Sequence, residues 1–548
     1  MGDRADDALP PVRFDTHPDR YRHWRLELPP EHGGAVARLV LDVNEAAGLR
    51  PGYALKLNSY DLAVDIELAD ALQRIRFEHP EVKAITLVSG NGRVFSSGAN
   101  IYMLGSSSHG FKVNFCKFTN ETRLYLEELS AESGVESLAA LAGTASGGGY
   151  ELALACDAIA LADDGSSVVS LPEAALLGVL PGTGGLTRLV DKRRVRRDLA
   201  DAFSTMAEGV RGQRALEWGL VDEAPTRREF DVAVRRHLDA MIARSPRRPA
   251  KPLSLEPLDA YRFVSLAVDA AARVATLTLS APTGPEPATA EELVRAGSNA
   301  WVVRAWRELD DALLDLRFNH PGIGVLVLKT SGDPARVLAT DAMIAGHRSD
   351  GLVHEVALSM KRVLKRLDNT AKTLFALIEP GSCFAGSLAE LALAADRSYM
   401  LDDPERAASL RFSAMNGGPL PMSNGLTRLA SRFPGRADHV TRILARGASF
   451  DAKAAIDAGL VTFAPDAIDW DDEVRIALEE RASLSPDALT GLEASLRYGG
   501  PETMETKIFG RLSSWQNWIF QRPNAVGPRG ALSLYGKAER PEFDFNRT

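Results

Sequence analysis

Residues 135–157 read VESLAALAGTASGGGYELALACD, and this stretch decides the fold class. Val135 to Leu141 is a short apolar run with the character of a buried strand. It runs into Gly147-Gly148-Gly149, and a helix-like segment starts at Tyr150. Upstream, Val82 to Val88 (VKAITLV) reads as a second buried strand, closed by the turn Ser89-Gly90-Asn91-Gly92. Leu62 to Phe77 carries apolar residues at helical spacing, with Asn58-Ser59 available to cap it. Ala35 to Asp42 alternates like a strand. Strands alternating with helices place the chain in the α/β class.

The central segment has an echo. Glu151-Leu152-Ala153-Leu154-Ala155-Cys156-Asp157 returns as Glu390-Leu391-Ala392-Leu393-Ala394-Ala395-Asp396. Arg76-Phe77-Glu78-His79-Pro80 returns as Arg317-Phe318-Asn319-His320-Pro321, and Gly185-Leu186-Thr187-Arg188-Leu189 returns unchanged from Gly425 to Leu429. The three pairs keep their order and lie about 240 residues apart. Two copies of one α/β domain account for this. The expected organisation is an irregular arm over 1–34, a first domain over 35–244, a proline-rich linker over 245–258, a second domain over 259–490 and a helical segment over 491–548. In that last segment Ile508, Leu512, Trp515, Trp518 and Ile519 fall at helical spacing and must be buried on the chain's own body or on a partner.

Composition excludes several classes of function. The 548 residues are 45% hydrophobic and 25% charged, a normal balance for packed domains. A net charge of −9 disfavours nucleic acid as the main partner. Cys116, Cys156 and Cys383 cannot form a disulfide framework and fit a reducing, cytoplasmic compartment. Neither they nor the ten scattered histidines have metal-site spacing. Met1 to Pro11 lacks the apolar core of a leader, Gly2 is not in a myristoylation motif, and no apolar run spans a bilayer.

Three segments of the first copy can carry chemistry: Phe95-Ser96-Ser97-Gly98-Ala99-Asn100-Ile101, Ser146 to Glu151, and the stretch from Leu171-Pro172-Glu173 to Gly185. Two glycine loops that each follow a strand can aim peptide N–H groups at one point. The loop at Gly148 also opens a helix, where the dipole favours negative charge. That is an oxyanion hole in outline, although either loop alone reads as an ordinary turn. Glu151 follows two residues after the glycines, and alone it would be a dipole-favoured surface residue. Glu173 lies in a largely apolar stretch, where a carboxylate is costly to bury without a task or a partner. Two glutamates converging on one cavity can hold a water between them and share acid and base work. Gly182 to Gly185 is not a dinucleotide fingerprint, and Gly381 to Gly386 is not a phosphate loop.

These segments resemble the crotonase (enoyl-CoA hydratase) superfamily. FSSGANI resembles its FxAGADI loop, SGGGYELALACD its GGGxELALxCD segment, and LPEAALLGVLPGTGGLTRL its PEVxLGxxPGxGGTQRL segment. The resemblance implies two tandem domains of the ββα-superhelix type, the second degenerate. It implies an oxyanion hole from the amides of Ala99 and Gly148 and an acid/base pair of Glu151 and Glu173. Gly98, Asn100, Ile101 and Gly147 would line the substrate loops, and Asn100 departs from the usual Asp. Cys116 lies in the region that lines the acyl pocket in this superfamily, and Phe115 and Phe118 are candidates to shape a pocket for a flat ring. Both aromatics, and Cys116 as a small gap-filler, read equally as core. Lys56 is the candidate basic residue for the phosphates of coenzyme A.

In the second copy Asp341 stands at the place of Gly98, Ser387 at that of Gly148 and Ser413 at that of Glu173, with only Glu390 surviving. A doubled chain with one degraded copy, ending in GKAERPEFDFNRT, is similar to the benzoyl-CoA-dihydrodiol lyase family of that superfamily. This implies water-dependent ring opening of an aromatic acyl-CoA with release of formate, assisted by Cys116. It also implies a homodimer, with no metal and no cofactor beyond the coenzyme A of the substrate. The alternatives are a hydratase for an ordinary enoyl-CoA and a non-catalytic acyl-CoA-binding protein.

Overall fold

A computed structural model describes residues 10–548. The first nine residues of the arm, and with them most of the reading of Met1 to Pro11, lie outside the described residues. The chain divides into two units, one built on Phe14–Pro257 with Asp350–Leu352, the other on Leu258–Ser349 and Val353–Thr548 with Pro11–Arg13.

In the first unit the strands are β1 (Trp24–Glu27), β2 (Val36–Leu41), β3 (Ala84–Ser89), β4 (Val94–Ser96), β5 (Glu136–Leu141), β6 (Thr144–Ser146), β7 (Ala158–Leu161) and β8 (Val169–Ser170). The main sheet has the order β1-β2-β3-β5-β7, with β2, β3, β5 and β7 parallel and β1 antiparallel at the edge. Its apolar face (Val36, Ala84, Leu138, Ala160) is covered by Phe230, Leu238 and Met241 of the helix Phe230–Arg244. A smaller parallel sheet, β4-β6-β8, carries the two glycine loops at its strand ends.

Parallel strands need long crossovers. Here they are α1 (Leu62–Phe77), between β2 and β3, and the pair α2 (Ile101–Ser106) and α3 (His109–Ser133), between β4 and β5. Asp61, not Asn58 or Ser59, caps α1, its carboxylate accepting the amide of Ala63 at 2.9 Å. Asn58 has a turn to hold instead: it sits at φ 49° and donates to the carbonyls of Leu41 and Phe95. The arm is also less irregular than expected, since β1 lies within it and pairs with β2.

The second unit repeats the main sheet with β9 (Val264–Asp269), β10 (Val274–Ser280), β11 (Val325–Ser331), β12 (Thr373–Ile378) and β13 (Arg397–Met400). The order β9-β10-β11-β12-β13 again has one antiparallel edge pair followed by parallel ones. Of the small sheet, the β6/β8 pairing has as counterpart only the bridge Ala385 to Arg411.

The stretch 245–258 is a strap, not a free linker. Leu253 and Leu255 are buried, Leu253 donates its amide to Phe77 at 2.7 Å, and Arg247 donates to the carbonyl of Ile75 at 2.9 Å. The helix Pro486–Arg497 crosses the expected boundary at 490/491. A Cβ at Gly491 would lie 3.3 Å from Trp515 and 3.2 Å from Ile519, so that bare helix face receives both side chains on the unit's own body. Residues 541–548 are not helical. No described helix is long and apolar enough to cross a membrane.

Candidate active site

The strand β6 ends at Ser146, and the next residue, Gly147, has a φ of 53° that needs a glycine. This turn points the chain into α4 (Gly148–Ala155). The loop after β4 comes against it: a Cβ at Gly98 (φ 86°) would lie 2.7 Å from the nitrogen of Gly148 and 2.9 Å from the carbonyl of Ser146. The Gly98 loop is pinned from its other side, with Tyr60 donating its amide to Gly98 and Asn100 donating its amide to Tyr60. The peptide N–H groups of Ala99 and Gly148 are left without a partner among the described residues. Two free amides on touching loops, one at a helix N-terminus, form a site for a developing negative charge.

Both glutamates flank this turn. Glu151, in the first turn of α4, is only 2% exposed. Its carboxylate accepts the amides of Thr183 (2.9 Å) and Gly185 (2.8 Å) and the hydroxyl of Thr183, so its orientation is fixed. Glu173 begins α5 (Glu173–Leu177). A Cβ at Gly147 would lie 2.7 Å from Glu173 Oε1, which puts that carboxyl directly against the glycine turn. Glu173 Oε2 is buried with no hydrogen-bond partner among the described residues. Burial pushes this carboxyl up to about 7, and the charge of Glu151 adds to the effect. One carboxylate is therefore clamped, and the other is underbonded and near half-protonation at neutral pH.

Cys116, on α3, belongs to the same place. A Cβ at Gly182 would lie 3.6 Å from its Sγ. Burial, aided by the charge of Glu151, pushes the thiol up to about 11, so it is a neutral S–H at physiological pH. Asn120, one turn further on, donates to the carbonyls of Cys116 and Gly182 at 3.0 Å each and ties α3 to the Gly182 loop.

Behind the turn lies a cluster that the sequence reading missed. A Cβ at Gly148 would fall 1.8 Å from the hydroxyl of Tyr60, so the phenol occupies the space that only glycine leaves. Arg123, buried on α3, donates to Tyr60 Oη (3.1 Å) and to the Gly148 carbonyl (3.2 Å), and pairs with buried Asp65 at 3.5 Å. The one available signal was an arginine on the apolar face of α3.

The remaining candidates divide. Gly98 and Gly147 form the turn itself. Ile101 is 56% exposed beside the Gly98 loop. Lys56 is exposed in a turn whose Leu57 carbonyl accepts the amide of Ser97. Asn100 is not free to bind substrate through its side chain: it caps α2 through Met103 and donates to Ala54 and Ser59. Phe118 packs on Phe14 with ring centres 5.3 Å apart and is core. Phe115 is 1% exposed and packs at a tilt on Tyr60, with ring centres 6.0 Å apart. Both rings lie on the buried face of α3.

The second unit shows what became of the corresponding hole. Gly386 keeps the positive φ (51°) of Gly147. The Ser387 amide, in the place of Gly148, donates to Asp341 Oδ2 at 2.7 Å, and Ser413 Oγ donates to the same oxygen at 2.7 Å. The chain's own carboxylate fills the hole. Glu390 is held by Asn416 (2.7 Å) and by Arg428 (3.0 Å).

The enoyl-CoA hydratase/isomerase family model matches residues 54–251. Benzoyl-CoA-dihydrodiol lyase of Aromatoleum evansii is 54% identical over 547 residues, covering 98% of each chain. The fatty acid oxidation complex subunit alpha of Shewanella frigidimarina is 28% identical over 43% of this chain and 32% of its own length. Among solved structures, an enoyl-CoA hydratase of Geobacillus kaustophilus is 31% identical over 42% of this chain and 76% of its own, with a TM-score of 0.35.

Proposed function

The chain belongs to the benzoyl-CoA-dihydrodiol lyase family of the enoyl-CoA hydratase/isomerase superfamily, and we propose that it opens the ring of 2,3-epoxybenzoyl-CoA, or of the corresponding dihydrodiol, in aerobic benzoate breakdown. The observation that carries this reading is that Glu151 and Glu173 flank the Gly147–Gly148 turn, where the amide of Gly148 and that of Ala99 on the touching loop are free.

In the proposed reaction the thioester oxygen accepts hydrogen bonds from Ala99 and Gly148. Water adds across the epoxide to give the diol, with a glutamate taking its proton. A carboxylate then removes a hydroxyl proton, and the O–H electron pair becomes a carbonyl as the ring carbon–carbon bond breaks. The electrons released from that bond flow into the thioester, where the two amides stabilise the enolate; one such donor is worth roughly 2.7–4 kcal/mol. A second water attacks the new formyl carbon, the bond from that carbon to the thioester's α-carbon breaks with its electron pair entering the thioester as an enolate, and one carbon leaves as formate while the α-carbon takes a proton. The other product is 3,4-didehydroadipyl-CoA semialdehyde. Glu173, titrating at about 7, is suited to both giving and taking protons, while clamped Glu151 orients water. Cys116, as a neutral thiol, can donate to the departing formyl oxygen. Protein groups and water carry every step, so the scheme calls on no metal and no redox cofactor. The same reading has a cytoplasmic homodimer.

The test is product analysis with purified protein. The proposal expects stoichiometric formate from 2,3-epoxybenzoyl-CoA. Efficient hydration of crotonyl-CoA without any formate from the epoxide would replace it with the hydratase reading.

A further inference from the structure

The second unit differs from the first at one ion pair, and the difference opens onto a cleft. In the first unit Arg193 donates through Nε to the carbonyl of Gly219 (2.8 Å) and grips Asp222 with both terminal nitrogens (3.1 Å each). Asp222 also accepts the amide of Ile159 in β7 at 2.7 Å. In the second unit Arg432 makes the same bond to Gly459 at 2.8 Å. The residue in the place of Asp222 is Thr462, and its hydroxyl still accepts the amide of the matching β13 residue, Ser398, at 3.0 Å. The backbone role survives and the charge is gone. Among the described residues the terminal nitrogens of Arg432 have no partner, and burial lowers its pKa with no carboxylate nearby to oppose the shift.

Arg432 lines a cleft of about 430 Å³. Three arginines of that lining are paired: Arg428 with Asp368, Arg481 with Glu493 and Arg497 with Asp396. Two have no carboxylate partner among the described residues, namely Arg432 and Arg397; Arg397, on β13 where β7 has Ala158, lies over the ring of Phe375 at 5.5 Å. Five arginines against three carboxylates leave the lining at +2, and Glu390 and Arg547, which reach the same pairs from behind, cancel. Leu492 and Leu496 give the cleft an apolar side. The guanidinium of Arg432 is half-buried with unmatched terminal donors, and its fork matches a planar or tetrahedral oxyanion.

We infer that this cleft of the second unit binds a small doubly charged oxyanion with an apolar portion, seated on Arg432 and drawn by the uncompensated charge of the lining. Phosphate esters and short dicarboxylates share this chemistry. The experiment is calorimetric titration of the full chain with inorganic phosphate, phenyl phosphate and succinate, at ionic strength matched with sodium chloride. At least one of the three should show saturable uptake of one equivalent per chain, phenyl phosphate binding more tightly than phosphate if the ester is the preferred source. Thr462→Asp restores the pairing of the first unit, so that it keeps the fold and weakens uptake at least tenfold. Arg432→Gln should do the same, and ring-opening turnover should be unchanged in both. Absence of saturable uptake, or uptake that persists in Thr462→Asp, would overturn the assignment.

Discussion

At the residue scale the site depends on giving two carboxylates of the same type different surroundings. Glu151 accepts three hydrogen bonds, and Glu173 has a buried oxygen with none. Such divergence is how one cavity keeps an acid and a base available together. Glu151→Gln and Glu173→Gln should each lower turnover by about 10²–10⁴-fold while leaving acyl-CoA binding largely intact, as read by kcat against the dissociation constant of a substrate analogue. Stability gives a second readout with a definite sign. Burial raises the Glu173 carboxyl from its ordinary 4.5 to about 7, so the folded chain holds a proton there that the unfolded chain has released. Its contribution is complete below pH 4.5 and is lost as pH rises through 7. Glu173→Gln should therefore gain stability over the parent chain across that window, and thermal melts at several pH values will show it.

At the element scale the hole is a product of contact between two loops, not of either loop alone. The Gly98 loop approaches the N-terminus of α4 so closely that a methyl group would strike the Gly148 amide. Tyr60 and Arg123 fill the space behind, with Arg123 paired to buried Asp65. Gly98→Ala combines a 2.7 Å clash with a left-handed φ of 86°. It should displace one donor and lower kcat by about 10²–10³-fold, with circular dichroism close to the parent and a lowered melting temperature. Loss of the fold instead would mean that this loop contact is architectural before it is catalytic.

At the scale of the whole molecule, two copies of one sheet have diverged by what occupies their glycine turns. In the first unit the Gly148 amide is open, and in the second the equivalent amide holds Asp341. That carboxylate shows that this backbone arrangement accepts an anionic oxygen. Burial holds its carboxyl up at about 6, so its contribution to stability, by the same linkage, falls away as pH rises from 3.8 through 6. Asp341→Asn keeps an acceptor for Ser387 and removes the charge. It should gain stability over the parent above pH 6 and leave turnover unchanged, as should turnover in Glu390→Gln, measured by the same melts and a formate assay. A large loss of turnover in either well-folded variant would place part of the chemistry in the second unit.

The α/β class, the duplication, the two glycine loops and the positions of both glutamates were legible in the chain, because periodicity, turn residues and repeated segments are local signals that survive without knowing what they touch. Helical spacing along α3 likewise marked a buried face, but it could not say that Phe118 meets Phe14 or that Phe115 packs on Tyr60. Asn100 read as a loop residue near a ligand, and the fold spends its side chain on Met103, Ala54 and Ser59. The clamp of Thr183 and Gly185 on Glu151, the pairing of Arg123 with Asp65, and the filling of one hole by Asp341 all join residues tens of positions apart. Such meetings are decided only when the sheets and helices close on one another, since a side chain's partners are set by packing and burial and not by its neighbours along the chain.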